Sequence, residues 1–438
     1  MKLKHPNKLK EIKVKLDNVS PSLCLAKWLQ TTIYLNRGTT HSCPHCTTHG
    51  ISLKQLNENP SSLSNTPIKM FNREEMLKGN FPAECDFCWI IERMGKDYFS
   101  DRIYQSSASF AEERFDEIIA SGNGETLIPS SVEVSFDSVC NLKCLYCSPW
   151  ASTRWQDEIE KFGPYNLAGQ ICHTKANTIS EEDNPYMEAF WKWWPDLVKK
   201  LETFRITGGE PLMSKHFWKV LDFLKQEPNS KMTFCVNSNF AVTNRLIKSF
   251  IHEVNSLTPN LKAIVLFASA EAFGKEQEYI RSGMDFALFQ TNIEEYLAHT
   301  GPTATLFFST TVNLFCYSSF EQFLEWIVEL KIRYPNRVNA MFLFIKGPEY
   351  LDLRLLPEEC KTLMKDGVDR VIARHGTGEN AILNLAEVDQ LNRLMYRVTS
   401  KIERTDFLYQ QLRDFVRQSD ERKGTNACEL FPELAHLF

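Results

Sequence analysis

The sequence predicts an α/β protein built from six strand–helix units, with a Cys-rich segment before them and a helical region after them. Three observations carry this expectation. Six short β-type runs follow one another from residue 131 onward, amphipathic stretches separate them, and the residues ahead of 129 differ in composition. The runs are SVEVSFD at Ser131–Asp137, TFRIT at Thr203–Thr207, KMTFCV at Lys231–Val236, KAIVLFAS at Lys262–Ser269, TATLFFSTTV at Thr303–Val312 and RVNAMFLF at Arg337–Phe344. Several are nearly continuous apolar runs, as strands covered on both faces require. Between them, Lys215–Lys225, Asn244–Val254 and Phe320–Ile332 carry apolar residues at helical spacing. Alternation of strand and helix gives βαβ units and a parallel sheet. Six such units suggest an open, partial (β/α)6 TIM-like barrel.

The predicted organisation is a Cys-rich module over 1–128, the barrel over 129–345 with an aromatic-rich insertion at 148–196, and a helical region over 346–438. The first segment is rich in Ser, Asn, Pro and Cys, and NENPSSLSNTP at Asn57–Pro67 reads as loop. Its modest apolar content means that a metal centre would compensate for a small core. Lys2–Lys15 holds six lysines with no apolar stretch after them, so it is not a secretory signal. A solvated, partly frayed end is expected there. The insertion carries five of the nine tryptophans, Trp150, Trp155, Trp191, Trp193 and Trp194. It reads as a helical pair packing its aromatics onto the barrel, or as a wall of a substrate pocket.

Composition bounds the function. The 438 residues carry a net charge of −5, which argues against a surface devoted to nucleic acid. No apolar run approaches the roughly 18 residues of a membrane helix, and a cytoplasmic location is expected. Thirteen cysteines without an export signal point to metal or redox chemistry, because disulfides are rare in a reducing compartment.

Seven of those cysteines are clustered: Cys43 with Cys46, Cys85 with Cys88, and the triplet Cys140-Asn-Leu-Lys-Cys144-Leu-Tyr-Cys147. The triplet follows directly on the first barrel strand, where loops at strand C-termini hold active sites. Three thiolates can hold three irons of a [4Fe–4S] cube and leave the fourth open, whereas electron-transfer clusters fill that position with a further Cys. A zinc site is disfavoured, since no fourth ligand lies at zinc spacing.

The triplet, with Tyr146 before its last Cys, resembles the radical S-adenosylmethionine (SAM) superfamily. After the second strand, Thr207-Gly208-Gly209-Glu210-Pro211 resembles the GGEP motif of that family. The resemblance implies that this segment takes the SAM amino group: glycines admit close backbone approach and a carboxylate complements an ammonium. It further implies contacts to SAM from Asn237, in the turn after the third strand, and from Ser269 and Arg281, after the fourth. The implied activity is reductive cleavage of SAM at the cube to methionine and a 5′-deoxyadenosyl radical, which takes a hydrogen atom from a substrate carbon. The protein positions the target and excludes water. An external one-electron reductant such as flavodoxin or ferredoxin is implied as partner.

Read alone, Cys43/Cys46 and Cys85/Cys88 suggest a zinc ribbon. A second frame, Cys24, then Gly38, then Cys43 with a distal C-x-x-C, resembles the twitch and SPASM modules of radical SAM enzymes. By that resemblance Cys24, Cys43, Cys85 and Cys88 hold an auxiliary [4Fe–4S] cluster, with Cys46 spare or an alternative. The stretch Arg73–Arg102 is similar to twitch-domain proteins that carry the module first. His41, His45 and His49 flank the first pair and are candidate zinc ligands. Cys316, just past the fifth strand, is a candidate hydrogen-atom donor, against the plainer reading of a small buried residue. Cys235, within a strand, reads as core.

Four thiolates would close the auxiliary cluster to substrate and leave it electron transfer, which favours a net oxidation such as dehydrogenation or cross-link formation; with Cys316 as donor, epimerisation is the other expected outcome, on a peptide or a small molecule. The short stretch before Cys24 leaves no room for a separate leader-binding domain, which counts against a peptide. An alternative of another class is a non-catalytic iron–sulfur electron-transfer or sensing protein with a zinc-ribbon module; the open triplet and intact GGEP speak against it.

Overall fold

The computed structural model describes residues 6–95, 99–180 and 182–438. The chain is mixed α/β, and each of the six expected strands forms: Ser131–Ser135, Thr203–Thr207, Asn229–Ser238, Leu261–Ser269, Ala304–Val312 and Val338–Phe344. It divides into two compact units. The first comprises 1–137, 178–207 and 227–234; the second comprises 138–177, 208–226 and 235–438.

In the first unit, Ser131–Ser135 pairs in parallel with Thr203–Thr207, Val132 facing Phe204 and Val134 facing Ile206. Its other edge pairs in parallel with a strand that the sequence reading did not anticipate, Gln30–Tyr34. That strand continues antiparallel into Thr39–His41 and then His49–Gly50. The reason it escaped notice is composition. QTTIY offers only one large aliphatic residue, although β-branched Thr and Ile suit a pleated surface.

The N-terminal end also differs from expectation. Pro6–Asp17 is a helix rather than a frayed end; Lys2 and Lys4 of the basic stretch lie outside the described residues. Leu9, Ile12 and Leu16 recur at three- and four-residue spacing and are buried in a core with Leu23, Trp28, Met76 and Trp89. This core lies directly against Cys24, Cys85 and Cys88. The Cys-rich module therefore has apolar packing of its own.

In the second unit, Leu261–Ser269, Ala304–Val312 and Val338–Phe344 pair in parallel in chain order. Helices Lys215–Gln226, Asn244–Leu257, Phe286–His299 and Phe320–Arg333 follow the strands. Beyond residue 346 come helices Glu358–His375, Leu385–Val398 and Thr405–Lys423. The second of these covers an edge. Glu387 and Gln390 accept hydrogen bonds from the backbone N–H groups of Ala340 (2.9 Å) and Phe342 (2.8 Å). Side chains thus satisfy donors that an exposed edge strand would leave open to other chains.

The insertion forms helix Thr153–Phe162, a small hairpin of Tyr165–Leu167 with Gln170–Cys172, and helix Pro185–Leu197. Its aromatics serve packing. Trp155 is fully buried and stacks on His173 at 4.9 Å. In the first unit, Phe190 meets Phe136 edge-on at 5.2 Å, and Trp194 meets Phe204 at 5.0 Å. Among the described residues, no helix is long and apolar enough to cross a membrane.

Gly38 sits at φ +61, and a Cβ there would lie 2.3 Å from the Tyr186 ring. Replacing it with Ala is expected to cost about 1–3 kcal/mol in denaturant unfolding. Gly50→Ala, where no atom lies within 4 Å of the added carbon, serves as the control and should change the midpoint little.

Candidate metal and SAM site

The triplet loop starts at Ser138 and is held at several points. Thr153 N donates to the Ser138 carbonyl (2.8 Å), Ser152 Oγ to the Leu142 carbonyl (2.7 Å), and Trp155 Nε1 to the Cys144 carbonyl (2.9 Å). Ser152 also caps helix Thr153–Phe162. On its other side, Lys143–Cys144 pairs antiparallel with Arg281–Ser282, so that Cys144 and Arg281 face each other across the ladder. Asn141 Nδ2 donates to the Ala241 carbonyl (2.8 Å) and its Oδ1 accepts from Asn239 Nδ2 (2.9 Å). The loop thereby joins the turns that follow the third and fourth expected strands.

The three sulfurs share an electrostatic environment. Burial pushes Cys140 and Cys147 up to about 12, with the neighbouring Cys144 thiolate adding to the rise, and burial raises Cys144 as well. Donors reach two of these sulfurs: Leu142 N (3.5 Å) and Asn239 Nδ2 (3.9 Å) on Cys140, and Arg281 Nη1 (3.5 Å) on Cys144. Such a set favours thiolates once a cation is present. Spacing separates metal types. A tetrahedral zinc ion would draw its sulfurs to within ~4 Å of one another. Among the described residues, the one group whose three ligand atoms all lie within 4.8 Å is Cys46, Glu84 and Cys85. Cys140, Cys144 and Cys147 do not form such a group.

The GGEP segment adjoins this loop. Glu210 N donates to the Val139 carbonyl. A Cβ on Gly209 would come 2.2 Å from that same oxygen, and Gly208 has φ +119. Glycine is required at 209 by the close approach and at 208 by the backbone angle. The Glu210 carboxylate is fully buried. It accepts from Ser238 Oγ (2.7 Å), Asn239 N (2.7 Å) and Leu212 N (3.1 Å). Its acceptor sites are thus occupied by two turns of the protein itself, and burial still raises its pKa to about 7. Pro211 opens the short 3₁₀ turn that follows.

Tyr146 and Arg281 come together through a residue that the sequence reading did not assign. Glu271, fully buried, accepts from Tyr146 OH (2.6 Å) and from Arg281 Nε (2.8 Å). Arg281 Nη2 also donates to Tyr146 OH. Burial raises Tyr146 well above its ordinary value. For Arg281 burial works against the charge, but Glu271, Tyr146 and Cys144 together raise its pKa above the ordinary value. Ser269 and Asn237 are half-buried at the ends of their strands. Cys316 is fully buried, and its sulfur accepts from Asn313 N (3.4 Å) within a 3₁₀ turn. Cys235 is buried within its strand.

The first unit holds a second cluster of thiols. Cys24, Cys43, Cys85 and Cys88 line one cavity, together with Lys27 and His45. Cys46 is buried beside them, its sulfur 3.4 Å from that of Cys43. Hydrogen bonds from Cys43 and Cys85 lower the pKa of Cys46. Burial pushes Cys24 up to about 12. The histidines have other partners: His45 is paired with Asp101 and stacked on Phe87 at 3.8 Å, His41 reaches Tyr34, and His49 reaches Thr66. Four thiols thus line the cavity, with Cys46 as a fifth beside it. The tighter trio of Cys46, Glu84 and Cys85 is the arrangement nearest to a zinc site.

The buried Glu210 carboxylate predicts a pH signature in the metal-free protein. Its pKa in the folded state lies above the unfolded value, so the folded state binds the extra proton. Stability then falls as pH rises from about 4.5 to about 7 and levels off above. The stability difference between wild type and Glu210→Gln should change by about 3 kcal/mol across that window, read from denaturant unfolding at each pH.

The chain matches no protein-family model and no curated protein sequence. Among solved structures it is similar to the crystal structure of Streptococcus suis SuiB bound to S-adenosylmethionine, at 12% identity over 79% of this chain and 70% of that one, with a TM-score of 0.38. It is also similar to SuiB bound to the precursor peptide SuiA, at 13% identity over 81% and 71%, with a TM-score of 0.37.

Proposed function

We propose that this chain is a radical SAM enzyme. The observation that carries the reading is the convergence, within one compact unit, of the Cys140, Cys144 and Cys147 thiols, the Gly208–Pro211 segment and the Tyr146–Glu271–Arg281 cluster. In this reading the six expected strands form a partial (β/α)6 barrel, and Cys140, Cys144 and Cys147 hold a [4Fe–4S] cube with one open iron. When bound, that cube supplies the electron that splits SAM to methionine and a 5′-deoxyadenosyl radical.

The protein's own residues set the stage. Arg281 places a fixed positive charge against the Cys144 sulfur, and Glu271 holds that guanidinium so that it does not reorient. The Glu210 carboxylate ties the GGEP segment to the Ser238–Asn239 turn, leaving the backbone of Gly208 and Gly209 to meet the SAM amino group. Asn237 and Ser269 are the proposed contacts to the rest of SAM, and Cys316 is the proposed hydrogen-atom donor. The Cys-rich module holds an auxiliary [4Fe–4S] cluster through Cys24, Cys43, Cys85 and Cys88, with Cys46 as the alternative. For a net oxidation or cross-link of a peptide or small molecule it would accept the electron from the substrate radical; in an epimerisation, which is redox-neutral, the Cys316 thiol would instead return a hydrogen atom to that radical, and the external reductant with a proton would restore the thiol. An external flavodoxin or ferredoxin supplies the electron for SAM cleavage.

Anaerobically reconstituted protein should contain about eight irons per chain, as two cubes require. Reduced with dithionite and given SAM, it should release 5′-deoxyadenosine. Replacing Cys140, Cys144 and Cys147 together with Ala should leave about half the iron and abolish that release. Undiminished release would contradict the assignment, and roughly four irons with one zinc would make the Cys-rich module a zinc site.

A further inference from the structure

The cavity of the Cys-rich module holds an ion pair that the proposed reaction does not use. Lys27 lies three residues after Cys24, on the short helix Ala26–Leu29, and is 2% exposed. A lone lysine is rarely buried so deeply without a charged partner, because removing an ammonium from water is costly. Here Nζ has two partners. It lies 3.2 Å from the Cys46 sulfur and is ion-paired with Glu84. Glu84 is held in turn by Asn72 Nδ2 at 2.6 Å. Lys27 also lines the cavity alongside Cys24, Cys43, Cys85 and Cys88.

The surrounding charges single out this group. Arg102 is already neutralised by Glu92 and Asp17. His45 is paired with Asp101. Lys69 is buried, but its ammonium is spent on the hydroxyls of Thr31 (2.6 Å) and Thr40 (2.8 Å). Arg73, fully buried, donates to the Lys27 carbonyl (2.9 Å) and to Asn65 Oδ1 (3.0 Å). Among the described residues, Lys27 is the cation whose side-chain N–H groups reach a sulfur of this thiol group.

We propose that Lys27 is a positioning residue that sets the reduction potential of a cluster in this cavity, its ammonium stabilising the more negative, reduced state and Glu84 tempering that effect. The inference rests on the reading of the module as an auxiliary iron–sulfur site. A cluster held by thiolates gains one negative charge on accepting one electron. A fixed ammonium that lines the same cavity as Cys24, Cys43, Cys85 and Cys88, and that touches the alternative ligand Cys46, favours that state, and the low local dielectric of the interior strengthens the effect. The Glu84 carboxylate, with an oxygen within 4.8 Å of the Cys46 and Cys85 sulfurs, opposes it. Removing the lysine should therefore lower the potential, and removing the carboxylate's charge should raise it.

The test uses the full chain with Cys140, Cys144 and Cys147 replaced by Ala, so that only the Cys-rich module reports. Iron content is measured first, then the midpoint potential by dithionite titration followed by electron paramagnetic resonance. Zinc in place of iron in this background overturns the auxiliary-cluster reading itself, and the inference with it. With iron present, Lys27→Met should shift the midpoint negative, Glu84→Gln should shift it positive, and Lys27→Arg should stay near the parent. Unmoved midpoints, or shifts of the same sign in Lys27→Met and Glu84→Gln, overturn the inference while leaving the cluster reading intact. If Lys27→Met does not retain iron, the sign of the Glu84→Gln shift decides. Loss of iron in both variants overturns the proposal, because the pair would then be structural.

Discussion

Thiols buried in a protein interior cannot ionise together unless a positive charge sits among them. Cys140, Cys144 and Cys147 are in that position: burial raises all three, and each thiolate formed would penalise the next. The loop that carries them is nevertheless fixed by its own hydrogen bonds and by pairing with Arg281–Ser282. A set of thiols held in place by these hydrogen bonds and kept protonated by burial is an unfinished electrostatic arrangement, and in the proposed reading metal cations would complete it. The Cys-rich module obeys the same constraint, with Lys27 supplying part of the positive charge.

The rest of the site is organised around stapling loops to one another. Gly209 lets the GGEP segment touch the triplet loop at Val139, where any side chain would collide. The Glu210 carboxylate accepts from its own turn and from the turn after the third expected strand. Glu271 gathers Tyr146 and Arg281, which lie 135 residues apart in the chain. Two buried carboxylates therefore act on the loops of the site, with donors saturating each. Such networks are worth most when every member is satisfied.

Much of this was legible in the sequence, for identifiable reasons. The six strands stood out because each is a short run of apolar and β-branched residues, and the observed ends fall within two residues of the expected ones. The Cys triplet and the GGEP segment were visible because their chemistry depends on spacing within a few residues. Local spacing alone paired Cys43 with Cys46 and Cys85 with Cys88; it was the resemblance to twitch and SPASM modules that grouped Cys24, Cys43, Cys85 and Cys88, which line one cavity. What stayed hidden depends on partners far apart in sequence or on weak local signals. Glu271 is an ordinary acidic residue until Arg281 and Tyr146 are placed beside it. Lys27 looked like any surface lysine until Cys46 and Glu84 closed around it. Gln30–Tyr34 is too polar to announce itself as a strand, and the lysines of Pro6–Asp17 masked the apolar stripe that packs the helix down.

In the proposed reading one cluster keeps an iron without a protein ligand. Mössbauer spectra of the protein reconstituted with ⁵⁷Fe, taken with and without SAM, report on that iron. SAM should change the signal of about one iron in eight, the site gaining nitrogen and oxygen ligands while the others stay as they were. Spectra that SAM leaves unaltered, with every cluster iron ligated by sulfur throughout, would rule the open site out.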